Sequence, residues 1–312
     1  MSDWRSVVVA KLRGECTFDA PLATRTAIRV GGSADLLVRP ADPDDLSALL
    51  SLCLAQDLPV FVLGNGANLL VADAGIRGVV VRLPADFGAD SAGGTRLILS
   101  AGAPNSRLVA RAQASGLVGC EFLSGIPGTL GGAVVMNAGT KLGEMKNVVS
   151  RVEVTTAAGA GWLSARELAF AYRHCELPPG AVVTRVEVAL RQGDVEASAK
   201  SMLADREYRR RTQPLSQPTF GSTFRNPPGR HAGQLIEAAG LKGFRIGGAA
   251  WSELHANFVV NLGGASASEV RQLMKLAQDR VREEFGIALE PEVRLAGEFR
   301  EDSNEGQGAA RG

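Results

Sequence analysis

Histidine is scarce in this 312-residue chain. Its three copies, His174, His231 and His255, do not cluster as metal ligands, and no metal site is expected. The four cysteines, Cys16, Cys53, Cys120 and Cys175, are widely spaced and form no C-x-x-C pair. Their spacing indicates neither a zinc ribbon nor a dithiol redox motif, and points to reduced thiols in a cytosolic setting. An excess of one charge is also missing. The formal net charge is +1, so no general field for nucleic acid or membrane is expected. No apolar run approaches the roughly 20 residues of a membrane span. The opening segment has only a short apolar run, Val7–Ala10, between charges. That is too short for a signal peptide, and a cytoplasmic location is the expectation. No internal repeat of solenoid period is evident.

What is abundant is glycine, and it is concentrated. The stretch from Cys120 to Gly139 holds Gly125, Gly128, Gly131, Gly132 and Gly139. Glycine lets backbone amides close on a ligand, and Pro127 fixes one turn among them. Thr129 and Asn137 add short hydrogen-bonding side chains, and the apolar filler is small, which suits a flat ring against main chain. By itself this pattern also fits a buried connection between two strands. A second stretch, "VLGNGANLLVAD" (62–73), follows the apolar run Pro59–Val62. It reads as a strand and a Gly64-Asn65-Gly66 turn whose amides form a nest for a diphosphate. The spacing fails the G-x-G-x-x-G dinucleotide pattern, and no Gly-Lys-Ser/Thr closes a P-loop. Two such nests in one chain fit a long ligand carrying both a diphosphate and a flat ring.

The 45% hydrophobic content supports packed cores, and the length suggests two or three domains. Residues 1–20 read as an extension with a short helix. Thr24–Pro40 reads as a strand, a Gly31-Gly32 turn and a returning strand, and Asp42 opens a helix. After the first nest, 78–83 is a strand. Residues 95–101 form the next strand, and Asn105 or Ser106 caps a helix running to about Ser115. A hairpin over 148–163, a strand over 181–191 and a helix over 195–211 complete a second lobe. That helix ends in Arg209-Arg210-Arg211, which the helix dipole favours, with one arginine a candidate for a substrate diphosphate. Pro214 and Pro218 mark a linker. Beyond it, 233–239 reads as helix and 256–261 as strand. Ser266-Ala-Ser-Glu269 is a capping box opening a helix to 284. A last strand over 290–295 is expected to return to the second lobe, followed by a polar, disordered tail.

The pair "VLGNGANLLVAD" and "GIPGTLGGAVVMNAG" resembles the FAD-binding half of the UDP-N-acetylenolpyruvoylglucosamine reductase family. "TAIRVGGSADLLVRP", "AYRHCELP", "GSTFRNP" and "LEPEVR" are similar to further motifs of that family, in the same order, from about Thr24 to Gly297. The resemblance implies an α+β fold: a two-lobed FAD-binding region of the vanillyl-alcohol-oxidase type plus a smaller α+β substrate-binding domain. The implied boundaries are an extension to residue 20, lobe 1 over 21–84, lobe 2 over 85–212 and 287–300, the substrate-binding domain over 213–286, and a tail over 301–312. FAD would be held without a covalent bond by Leu63, Gly64, Asn65, Gly66, Asn68 and Leu69 from the first nest. The second nest would add Gly125, Ile126, Pro127, Gly128, Thr129, Gly131, Gly132, Asn137, Ala138 and Gly139.

The implied reaction is NADPH-dependent reduction of UDP-N-acetylglucosamine enolpyruvate to UDP-N-acetylmuramate for peptidoglycan synthesis. It needs a hydride at the β-carbon, stabilisation of the enolate, and a proton at the α-carbon. The family motifs imply Ser222 as proton donor, although a serine after glycine is ordinarily a turn residue. They imply Arg173 against the substrate carboxylate and enolate, a planar permanent cation suited to both. They imply Glu292, rather than its neighbour Glu290, as the carboxylate that relays or shares a proton. Tyr172 and Asn226 are implied substrate contacts, and His255 a structural residue. No tyrosine-bearing loop is inserted before Pro214, so the chain resembles the shorter, second type of the family. A flavin oxidase of an alcohol on the same fold and a catalytically silent flavin- or nucleotide-sugar-binding module are the competing readings. A monomer or weak dimer without nucleic-acid or membrane partners is expected.

Overall fold

The computed structural model describes residues 4–299. The tail expected beyond them lies outside the described residues.

Three packed regions follow one another, and the first is built on a small sheet. After helix α1 (Trp4–Val9), strand β1 (Glu15–Pro21) pairs antiparallel with β2 (Ser33–Arg39). The segment read as a loose extension thus supplies an edge strand. Helix α2 (Pro43–Ala55) starts where Asp42 accepts the Asp45 amide, with Pro43 at its first position. The buried Asp45 carboxylate accepts three amides, from Arg13, Gly14 and Ala41, which ties the N-terminal segment to the helix. Strands β3 (Val60–Val62), β4 (Leu69–Val71) and β5 (Ile76–Val81) follow, and the sheet order is β1-β2-β5-β3. The β5 run Val79-Val80-Val81 is continuous because apolar clusters cover both faces: Leu46 and Leu49 on one, Leu63 and Val71 on the other. The strand expected over 24–30 does not form. Thr26 closes that segment on itself, its hydroxyl donating to the Val30 carbonyl at 2.8 Å and accepting the Val30 amide, while Ala23–Arg25 takes a 3-10 turn.

The second region is an antiparallel five-stranded sheet containing β6 (Ser91–Gly93), β7 (Arg96–Ser100) and the strands Val149–Thr156, Gly159–Ser164 and Val182–Ala189. Helices α3 (Asn105–Ala114) and α4 (Leu130–Val135) contribute Leu108, Leu130 and Val134 to its core. Pro104 precedes α3 as its cap. Asn105 does not cap; its amide donates instead to the Ile126 carbonyl, 21 residues away. Helix α5 (Val195–Thr212) packs on the Glu121–Gly125 turn.

The third region joins α6 (Ala232–Ala238) and α7 (Ala267–Phe285) to a three-stranded sheet of Arg245–Ile246, Ala249–Trp251 and Val259–Asn261. The Ser266–Glu269 capping box forms as expected, and Gly286, left-handed at φ 67°, ends α7. Asp73 of the first region accepts the Ala267 and Ser268 amides, latching the two regions together. The final strand, Arg294–Ala296, differs from expectation. It pairs in parallel with β4 of the first region, not with the second sheet. Its start is fixed by Asn68, whose side chain donates to the Glu292 carbonyl and whose carbonyl accepts the Arg294 amide.

Candidate active site

All three regions open onto one cavity of about 1720 Å³. That exceeds the usual range for a single small ligand, roughly 300–1,000 Å³, and suits two ligands side by side. Both glycine loops line it and touch each other. A Cβ on Gly64 would sit 2.7 Å from the Thr129 hydroxyl. The Thr129 hydroxyl caps α4 by accepting the Gly132 amide. Gly128 has φ 135°, where a side chain is strained, and a Cβ there would contact the Asn105 side chain at 3.7 Å.

The first loop carries a cluster of cations that its glycines do not advertise. Arg82 donates to the Asn65 side chain at 3.3 Å. Burial, then the neighbouring Arg25 and Arg39, hold its guanidinium below the usual arginine range. All three arginines line the cavity, with one carboxylate close by, Glu15, paired to Arg39 at 2.8 Å. An anion such as a diphosphate relieves that repulsion.

At the other end, residues far apart in sequence converge. Ala171 and His174 pair across a tight turn, leaving Tyr172 and Arg173 at its tip. Arg173 is left-handed at φ 56°, an uncommon and costly conformation for a long side chain. Its Nε donates to Glu292 Oε1 at 2.7 Å, and both side chains are mostly shielded from solvent. Among the described residues no hydrogen bond engages its two Nη groups. The Glu292 amide in turn donates to the Thr223 carbonyl at 2.8 Å, next to Ser222. Ser222 itself forms a bridge with Phe258 of the third region. Three segments therefore bring Arg173, Ser222 and Glu292 to the lining of one cavity. Glu290 stands apart, 75% exposed and 3.9 Å from Arg225.

Two family models match the chain. One is described as an FAD binding domain, over residues 34–161, and the other as the C-terminal domain of UDP-N-acetylenolpyruvoylglucosamine reductase, over 213–296. A protein of that name from an Anaeromyxobacter species is 63% identical over 305 residues, covering 98% of this chain and 96% of the relative. The chain belongs to the UDP-N-acetylenolpyruvoylglucosamine reductase family. The Myxococcus xanthus protein of the same name is 55% identical, covering 92% of this chain and 94% of its own length. The crystal structure of the Thermus caldophilus reductase superposes with a TM-score of 0.78 at 39% identity, covering 92% of this chain and all of that one. Membership makes this an FAD-type oxidoreductase with the α+β flavin fold and C-terminal domain expected.

Within that reductase frame, most of the residues expected to hold the cofactor line the cavity, from Leu63 to Leu69 in the first loop and from Ile126 to Gly139 in the second. Four expected contacts do not. Asn137 is fully buried behind the loop, its amide consumed by internal hydrogen bonds. Gly125 faces α5: a Cβ there would sit 2.7 Å from Arg209 Nη1. Tyr172 is 51% exposed and stacks on the Arg173 guanidinium at 4.9 Å, outside the lining. Asn226 turns outward, and its side chain accepts the Ala232 amide where α6 begins.

The structure adds residues that the sequence hid. Of the basic run, Arg209 lines the cavity, and burial lowers its affinity for the proton despite nearby Asp205. Among the described residues its Nη1 is buried without a hydrogen-bond partner. Beside it, Lys141 lies 3.7 Å from Asp205 and 4.6 Å from the Tyr208 ring. Only the helix register showed that one arginine could turn inward. Nothing local marked Lys141 or Arg82. His255 accepts the Asn257 amide through Nδ1, and burial keeps it below its ordinary range, as befits a structural residue. Among the described residues no three His, Cys, Asp or Glu side chains group as metal ligands, and no helix is long and apolar enough to cross a membrane.

Proposed function

We propose that this chain reduces UDP-N-acetylglucosamine enolpyruvate to UDP-N-acetylmuramate with NADPH, using non-covalently bound FAD. The observation that carries the reading is that the Arg173–Glu292 pair, Ser222 and the two glycine loops line one cavity. The residues fit FAD. The Gly64–Gly66 turn with Arg25, Arg39 and Arg82 suits its diphosphate, and the side-chain-free lining at Gly128, Gly131 and Gly132 with the small Ala138 suits its ring. Cys175 lines the same cavity, but burial pushes its thiol up to about 11, which leaves it protonated rather than a reactive thiolate. The chemistry FAD supplies when bound is storage of a hydride from NADPH for delivery to the enolpyruvyl β-carbon.

The chain supplies the rest. Arg173, anchored through Nε, leaves its Nη groups for the substrate carboxylate and for the negative charge that builds as the enolate forms. Serine is a weak acid, so proton delivery from Ser222 to the α-carbon depends on such a cation holding the resulting alkoxide. Glu292 keeps the guanidinium in place and shares with the enolate oxygen a proton that stays with the enzyme, while Ser222 supplies the one the product gains. Arg209, which lines the cavity, is the arginine of the basic run that meets the substrate diphosphate. The test is to bleach the yellow protein anaerobically with NADPH and add the enolpyruvyl substrate. Colour should return, with UDP-N-acetylmuramate formed one for one. No re-oxidation by this substrate refutes the reading.

A further inference from the structure

We infer that Asn137 is a positioning residue that fixes the Arg173 turn, rather than a ligand for the cofactor. The inference rests on the function proposed above, because it acts through Arg173. Asn137 is fully buried, with φ 38°, a left-handed conformation that asparagine tolerates better than most residues. Its amide makes three bonds to three places. Nδ2 donates to the Glu144 carboxylate at 2.8 Å and to the Ala171 carbonyl at 3.0 Å. Oδ1 accepts the Lys146 amide at 2.9 Å.

The Ala171 bond is the informative one. That carbonyl also accepts the His174 amide at 3.3 Å, the contact that closes the turn carrying Arg173. Asn137 therefore grips the base of a turn whose tip holds a left-handed arginine. Residues on either side of Asn137, Met136 and Ala138, line the cavity wall. One side chain thus couples the wall of the ring site to the guanidinium that must meet the substrate. Lys146 pairs with Glu144 at 2.6 Å, and the same Glu144 carboxylate accepts from Nδ2. An aspartate at 137 would preserve shape and the left-handed backbone, but would turn an oxygen toward two acceptors.

Two variants test this. Asn137→Gly keeps the backbone conformation and removes the three bonds. Asn137→Asp keeps the volume and reverses the donor. Each is examined alone and in an Arg173→Ala background. The expected result is near-normal flavin content and bleaching by NADPH, with a lowered melting temperature from the buried groups left unpaired. Re-oxidation by the enolpyruvyl substrate should be slowed about 10- to 100-fold, the scale of a small misplacement of a reacting group. Binding of that substrate to the oxidised enzyme, read from the flavin absorbance change, should weaken too. In the Arg173→Ala background the same substitutions should cost less than about twofold, because contacts acting through one group are not additive. Equal losses in both backgrounds, or wild-type re-oxidation in Asn137→Gly, would overturn the inference. If Arg173→Ala alone re-oxidises at the wild-type rate, the proposed site fails and this inference falls with it.

Discussion

Replacing Ser222 by alanine should separate the two halves of the reaction. Among the described residues the Ser222 hydroxyl makes no hydrogen bond, and the residue is held by its main-chain bridge to Phe258. Removing one unbonded oxygen should shift stability by no more than about 0.5 kcal/mol. The cavity lining, Arg173 and Glu292 are untouched, so cofactor content and bleaching by NADPH should survive. Proton delivery to the α-carbon should not. A positioned acid typically contributes about 10²–10⁴-fold, equivalent to about 2.7–5.4 kcal/mol of barrier. In anaerobic stopped-flow the variant should bleach at the wild-type rate and then stay bleached with the enolpyruvyl substrate present, re-oxidising at least about 100-fold more slowly. Ser222→Cys, a stronger acid of similar shape, should recover part of the rate. Loss of bleaching to the same extent would show that Ser222 organises the shared site. Unchanged re-oxidation would place the proton donor elsewhere.

Gly128→Val should give colourless protein, because a side chain strained at φ 135° would intrude on the cavity lining beside Asn105 and Ala67; a normal flavin spectrum would refute that placement. Gly66→Val should instead also lower the melting temperature, since its Cβ would collide with the Arg25 carbonyl oxygen at φ 61°. Arg173→Lys should lose most of the re-oxidation rate, because an ammonium cannot keep the Nε bond to Glu292 and also offer a planar fork. Glu292→Gln should retain substrate binding with little turnover, and wild-type kinetics in either variant would move the site. Hydrogen bonds from Arg185, opposed by burial and aided by Thr184, hold the Glu153 carboxyl below its ordinary range. Its stabilising effect is therefore complete above the unfolded carboxylate value of about 4.3 and is lost as pH falls through the lower folded value. Melting curves from pH 7 down to 3 should show Glu153→Gln less stable at neutral pH and converging with wild type in acid; parallel curves would contradict this.

Some features were legible because their causes are local. The capping box at Ser266 and Glu269 is written within four residues. The glycine loops are recognisable because their conformational freedom belongs to the residue type, and the run of motifs placed the chain in its family. Local reading did not show where a side chain would choose a distant partner. Asn105 looked like a cap and bonded Ile126. Asn137 looked like a ligand contact and bonded Ala171, 34 residues on. Asn226 looked like a substrate amide and turned to α6. Asparagine serves all these roles equally well, so its type cannot choose among them.

The sequence by itself determined helices α2, α3, α5, α6 and α7, strands such as β2, β5 and β7 but not α4 or β1, the two glycine loops, and the presence of an arginine, a serine and a glutamate in separate motifs. Those features follow from periodicity, capping and conformational preference, which act over a few residues. The tertiary structure alone decided that Arg173 would meet Glu292 across 119 positions, that Arg294–Ala296 would lie beside β4, and that Arg209 would turn from a solvated run into the cavity. Each of those outcomes depends on which buried polar groups find partners once the apolar faces have packed, and packing is a property of the whole chain.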